Sequence, residues 1–224
     1  MIKAMREEFS KMRQLLVSKD SEIASLKDKV SSLQTEIIKI KETIDDENAY
    51  ERRDTVIFSG NSIPESSSGE DCISIVTNLL KNKLRMEVNP SEFSTSHRLG
   101  RKPPPQQPDR RSIIAKFCRR DKKREILANC RSSRPTDFYA NESLTPIRST
   151  ILYVLRKMKR EPNSRLTSCS TKDGKVYAYV KTSPNAPPSA RPTGMLINSY
   201  EKLREFSTTT MGKELSTYIE TWPH

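Results

Sequence analysis

Thirteen lysines and arginines stand between residues 97 and 134 against three acids, and five more stand between 147 and 160 with no acid at all. Fixed cations at this density neutralise phosphates and release condensed counterions, so the chemistry they point to is the binding of a polyanion. The side chains expected to meet it are Arg98, Arg101, Lys102, Arg110, Arg111, Lys116, Arg119, Arg120, Lys122, Lys123, Arg131 and Arg134 in the first block. In the second block they are Arg148, Arg156, Lys159 and Arg160. Tyr139 and Tyr153 are the aromatic residues that could stack on a base, although a half-buried core position is the commoner fate of a tyrosine in such a setting.

Other chemistries find no matching set of residues. The four cysteines, Cys72, Cys118, Cys130 and Cys169, lie far apart with no C-x-x-C pair, and the two histidines are His97 and His224. Zinc needs about four soft ligands grouped in pairs, so no metal or other cofactor is expected, and the thiols read as reduced and mostly buried. Acid pairs such as Asp45/Asp46 and Glu70/Asp71 fall at helix ends, where capping and solvation account for them. No phosphate-cradling glycine loop and no nucleophile–base set is present, and an enzyme is not expected.

The whole chain has 224 residues and a net charge of +12, with 33% hydrophobic and 30% charged residues. That balance is too polar for one large core, so part of the length must be extended or coiled. No run of about 18 apolar residues exists to span a membrane. Lys3, Arg6, Glu7, Glu8 and Lys11 interrupt the N-terminus, so no secretory signal is expected. By segment, residues 1–48 carry −1 and 49–96 carry −2, against +10 for 97–134 and +5 for 147–160.

The acidic-to-neutral first segment is a heptad array. Alternating steps of three and four give Ile2, Met5, Phe9, Met12, Leu16, Lys19, Ile23, Leu26, Val30, Leu33, Ile37, Ile40 and Ile44, apolar except for Lys19, with no Pro or Gly in the stretch. This is the 3.5-residue period of a coiled coil, a rod of roughly 65 Å. With Ile2 at position a, Glu8, Glu22 and Glu36 fall at g and Arg13, Lys27 and Lys41 at the following e. All three pairs are opposite in sign for parallel, in-register association of identical chains. Ile23 with Leu26 and Val30 with Leu33 favour a dimer, whereas Ile37 with Ile40 favours higher order; taken alone they lean slightly to a dimer. Lys19 in the core costs stability and fixes register or strand number.

Beyond residue 48 the pattern predicts a βαββαβ order. Its strands are 55–60, 92–99, 112–117 and 138–141, its helices follow Glu70-Asp71 and span 119–131, and a proline-rich loop covers 100–108. This split-βαβ order is that of RNA-recognition-motif domains and of many unrelated proteins. The expected third strand carries Ser112 and Ile114 where base-stacking aromatics would stand, and Phe117 belongs to the core, so binding through cations and backbone is expected. A helix entered at 143–146 should reach about 160, burying Ile147, Ile151, Leu155 and Met158 and exposing Arg148, Arg156, Lys159 and Arg160. A hairpin of 165–171 and 175–181 turns at Asp173-Gly174. A loop over 183–192 and short helices over 199–206 and 211–219 complete an α+β chain. Its parts are a parallel coiled coil (1–48), an RRM-like domain (49–142) and a small α/β C-terminal domain (143–224), the last two leaning together to join both basic blocks in one cleft.

Several motifs in this order resemble the first open-reading-frame protein of LINE-type retrotransposons. They are Asn48-Ala49-Tyr50-Glu51-Arg52-Arg53-Asp54, Gly60 with Ile63-Pro64-Glu65, His97-Arg98-Leu99-Gly100, and Arg111-Ser112-Ile113-Ile114-Ala115-Lys116-Phe117. Ile126-Leu127-Ala128-Asn129-Cys130-Arg131 and Leu203-Arg204-Glu205-Phe206-Ser207-Thr208-Thr209-Thr210 continue the likeness. Tyr139-Ala140-Asn141-Glu142 with Leu144-Thr145-Pro146 is equally similar to the baculoviral few-polyhedra protein and its insect relatives. The resemblance implies a parallel trimer whose RRM-like and C-terminal domains clasp single-stranded RNA, package the element's transcript and act as a nucleic-acid chaperone. It places Arg98, Lys116, Arg131 and Arg204 among the binding residues. The order of g and e charges here is the reverse of the Arg-then-Glu order that specifies the family's trimer.

Two functions follow as expectations. The first is non-enzymatic binding of single-stranded RNA, or DNA, in a cytoplasmic ribonucleoprotein, with a reverse transcriptase or endonuclease as a partner. Arg119-Arg120-Asp121-Lys122-Lys123-Arg124 would also pass for a nuclear-import signal. The second is a coiled-coil scaffold or viral-like structural protein whose basic surface meets an acidic protein.

Overall fold

The computed structural model of the chain describes residues 2–104, 106–162, 164–181 and 191–218. The expected 183–192 loop lies almost wholly outside them, as does Ile219 at the end of the last expected helix. The molecule is mixed α and β, and it divides into two compact units, residues 1–46 and 47–224.

Helix α1 (Ile2–Arg52) runs unbroken for 51 residues, about 75 Å at 1.5 Å per residue. No glycine or proline precedes Gly60, so the helix continues past residue 48 and ends only before the β-branched Thr55-Val56-Ile57. Within residues 1–46 the twelve apolar heptad side chains leave between 48% (Ile23) and 72% (Ile2) of their surface exposed. Lys19 Nζ reaches Glu22 at 2.6 Å on its own helix.

The second unit holds two sheets, each with its own core. The first is formed by β1 (Thr55–Ser59), β2 (Phe93–Arg98), β3 (Ile113–Phe117) and β4 (Tyr139–Glu142), in the order β2-β3-β1-β4 with every pair antiparallel. Helices α2 (Cys72–Leu84) and α3 (Arg120–Ser133) cover one face. Alternation along the strands sends Val56, Phe58, Ile113, Ala115 and Phe117 inward to meet Val76, Leu80 and Ile126. Asp71 starts α2 by accepting the Ile73 N–H at 3.0 Å, and Arg85 ends it in a left-handed conformation at φ 53°. Gly60, at φ 120°, is required by the turn after β1, because a Cβ there would stand 2.3 Å from the Asp137 carbonyl oxygen.

The second sheet is β5 (Leu166–Lys172), β6 (Lys175–Val180) and β7 (Thr193–Leu196), with α4 (Pro146–Lys159) and α5 (Tyr200–Phe206) around its core. Thr145 caps α4 and Pro146 occupies its first turn, so the helix enters at the later end of the expected 143–146 segment. Strand β7 was not expected from the sequence: four residues with a glycine second give no readable alternation. The 211–219 helix is corrected too. From α5 the chain enters a π-type turn (Ser207–Met211), Gly212 reverses it at φ 66°, and only a 3-10 turn (Leu215–Thr217) follows. Thr208 and Thr209 hydroxyls donate back to the Arg204 and Glu205 carbonyls, and these local bonds compete with a regular helix. Among the described residues no helix is long and apolar enough to cross a membrane.

Candidate nucleic-acid interface

Three of the cations expected to meet phosphate lie inside the protein. Arg98 pairs with Ile113 across the strands and therefore points to the core side, where it is 9% exposed. Its Nε and Nη2 donate to the two carboxylate oxygens of Glu70 at 2.9 and 2.8 Å, and its remaining donors satisfy the Arg111 and Pro64 carbonyls. Lys123 is fully buried, 2.9 Å from Glu142 Oε1 and donating to the Arg53 carbonyl. Arg148, expected on the exposed face of its helix, is 2% exposed and donates to the Gly174 carbonyl at 3.0 Å. A cation used in this way holds backbone and carboxylate together and is not available to a ligand.

The Arg98 hydrogen bonds hold the Glu70 carboxyl below its ordinary value, so the pair stabilises the fold above the usual carboxylate range and is lost as pH falls through that lowered value. Glu70→Gln is therefore expected to lower the urea midpoint at neutral pH, and the gap to the wild type is expected to close as pH falls through the lowered value of the Glu70 carboxyl. A gap that stays constant with pH would rule out this ion pair as its source.

A second group of expected cations is at the surface with acid partners. Arg110 meets Glu65, Arg111 meets Asp109, Arg119 meets Asp121, Arg120 meets Asp54, and Lys122 meets Glu92 and Glu125. Asp109 and Asp121 are held below their ordinary values chiefly by hydrogen bonds from Arg111 and Arg119. Arg131 donates to the Thr171 carbonyl at 3.2 Å. A third group, Arg101, Lys102, Lys116, Arg134, Lys159, Arg160 and Arg204, is exposed with no acid partner among the described residues. Arg156 is exposed as well and, with Lys159, lies close enough to Cys169 to oppose the burial that raises that thiol.

The sheet face away from α2 and α3 presents Thr95 and His97 from β2, Ile114 and Lys116 from β3, Ile57 from β1, and Tyr139 and Asn141 from β4. Tyr139 is its one aromatic; it stands on an edge strand, half exposed, with its hydroxyl donating to the Thr136 carbonyl. Tyr153 is 57% exposed on α4, with Lys157 Nζ 5.1 Å from its ring centre. Both tyrosines therefore escape the core position that was the commoner expectation. Of the thiols, Cys72 alone is buried; Cys118 is exposed and all four are unbridged.

A polar junction joins the two sheets. Glu142 Oε1 accepts the Asp173 N–H at 2.9 Å and Oε2 the Gly174 N–H at 3.2 Å, while Arg124 Nη2 reaches Asp173 at 2.6 Å. Asp173-Gly174, with φ of 53° and 77°, makes the tight turn whose free N–H groups Glu142 captures. Arg124, a cation not among the expected binders, helps to set the second sheet against the first. Among the described residues no group of His, Cys, Asp and Glu side chains comes together as metal ligands. No protein-family model matches the chain, and no curated protein matches it.

Proposed function

We propose that the protein is a non-enzymatic binder of single-stranded nucleic acid that assembles through its N-terminal helix. The observation that carries this reading is the set of seven expected cations exposed with no acid partner among the described residues, in a chain of net charge +12. The sheet order β2-β3-β1-β4 with both helices on one face supports an RRM-like assignment for the first half of the 47–224 unit. Its open face lacks aromatics on the central strands, so phosphate contacts, rather than base stacking on that sheet, would supply the affinity there.

The apolar stripe on α1 supports a parallel coiled coil, trimeric by the retroelement resemblance in preference to dimeric. Assembly would offer several copies of the basic surface to one strand and raise avidity. Packaging of a retroelement transcript into a cytoplasmic ribonucleoprotein, with chaperone action through many weak exchanging contacts, follows from that reading.

The test is fluorescence anisotropy of a labelled single-stranded RNA titrated with the full chain between about 50 and 200 mM salt. Affinity is expected to fall steeply, and Lys159→Gln/Arg160→Gln/Arg204→Gln is expected to make the slope of log K against log salt shallower by about 2, at ~0.7 per phosphate. No binding at the lowest salt would overturn the reading and leave the basic surface to an acidic protein.

A further inference from the structure

Strand β6 separates two kinds of side chain. Val176, Ala178 and Val180 are buried toward α4 and α5, and Tyr177 and Tyr179 lie half-buried on the opposite face. The register sets Tyr177 between Ser170 of β5 and Leu196 of β7, and Tyr179 between Ser168 and Gly194. Gly194 leaves room for the Tyr179 ring: a Cβ there would meet ring carbon Cε1 at 3.1 Å. The two rings belong to alternate residues of one strand, about 7 Å apart along it, so each can take its own planar partner.

The same face is cationic at both ends. Lys172 and Lys175 pair across the turn end, and Lys181, whose N–H bonds the Arg165 carbonyl, stands at the other. All three lysines are exposed, and neither they nor Arg165 have an acid partner among the described residues. Ser168 and Ser170 are the remaining β5 side chains between these ends, so the described part of this face carries no carboxylate.

We propose that the outer face of the β5-β6-β7 sheet is a stacking platform for single-stranded nucleic acid. Two bases lie on Tyr177 and Tyr179, and the backbone runs between the lysines at the two ends. The inference rests on the nucleic-acid reading and supplies what the first sheet lacks, aromatic surface beside unpaired cations. An acidic peptide would use the lysines but would not need two flat rings between them; a base needs both.

The experiment measures anisotropy of a fluorescein-labelled oligo-uridine with the full chain across a salt series. Tyr177→Ala/Tyr179→Ala is expected to weaken binding about thirtyfold or more with the salt slope unchanged, and Tyr177→Phe/Tyr179→Phe to stay within about threefold of the wild type. Lys172→Gln/Lys175→Gln/Lys181→Gln, all at exposed positions, is expected to bind more weakly with a shallower slope, and it keeps the test decisive should the alanine pair fail to fold. Wild-type binding with unchanged affinity in the folded alanine pair, or an unchanged slope in the lysine variant, overturns the platform while the broader reading stands. Failure of the wild type to bind overturns both.

Discussion

Glu142→Ala lowers the stability of the 47–224 unit by about 3–5 kcal/mol, because it leaves a buried charge without its counter-charge. Among the described residues Glu142 is the one carboxylate in ion-pair contact with Lys123, whose side chain is 0% exposed. Its removal also strips acceptors from the Asp173 and Gly174 N–H groups, the two donors of the hairpin turn. The remaining acceptor for Lys123, the Arg53 carbonyl, is neutral. The measurement is urea unfolding of the full chain followed by circular dichroism, with Lys123→Met/Glu142→Gln as the comparison. The double variant removes the stranded cation and is expected to recover part of the loss. Arg124→Ala, at a partner more than half exposed, is expected to cost under about 1 kcal/mol. Equal costs for Glu142→Ala and Arg124→Ala would show that the junction does not depend on the buried pair.

The second large effect belongs to α1. Leu26 and Leu33 leave 52% and 57% of their surface exposed in the single chain. Burial of each in a helical seam is worth about 1.5–3 kcal/mol per chain, and a carboxylate in its place opposes assembly further. Leu26→Glu/Leu33→Glu is therefore expected to weaken association roughly 10⁴-fold or more and to give a monomer by sedimentation equilibrium. Helical signal should fall with it, because a long isolated helix with a polar seam loses most of what holds it. A wild type that is monomeric at micromolar concentration, or a variant that keeps the wild-type mass, would sink the coiled-coil assignment. The same experiment on the wild type decides between two strands and three, which the mixed Ile/Leu pattern of the seam leaves open.

Much of the architecture was legible because it depends on short-range pattern. Heptad spacing marks α1, and the β-rich run 112–117 marks β3, whose Ile113, Ala115 and Phe117 are all buried. The Asp173-Gly174 pair marks the hairpin, since few residue pairs adopt positive φ twice in succession. Propensity was blind to β7, which exists because β6 offers it an edge, and to the irregular chain after Phe206, where hydroxyl back-bonding and Gly212 break the helical period.

The candidate site was legible only as composition. The sequence by itself determined that the chain is basic in two blocks and that its four cysteines lie far apart with no C-x-x-C pair. Which cations remain free was decided by the tertiary structure. A charge count weighs Arg98 and Lys116 equally, yet strand parity turns Arg98 inward onto Glu70 and leaves Lys116 in solvent. Lys123 and Arg148 are drawn inside because the second sheet docks its turn where a carboxylate and carbonyls need cations. The two tyrosines on one face of β6 became a surface only when β5 and β7 flanked them. Charge is a property of residues one at a time; availability depends on burial and partners, and those come from segments far apart in the chain.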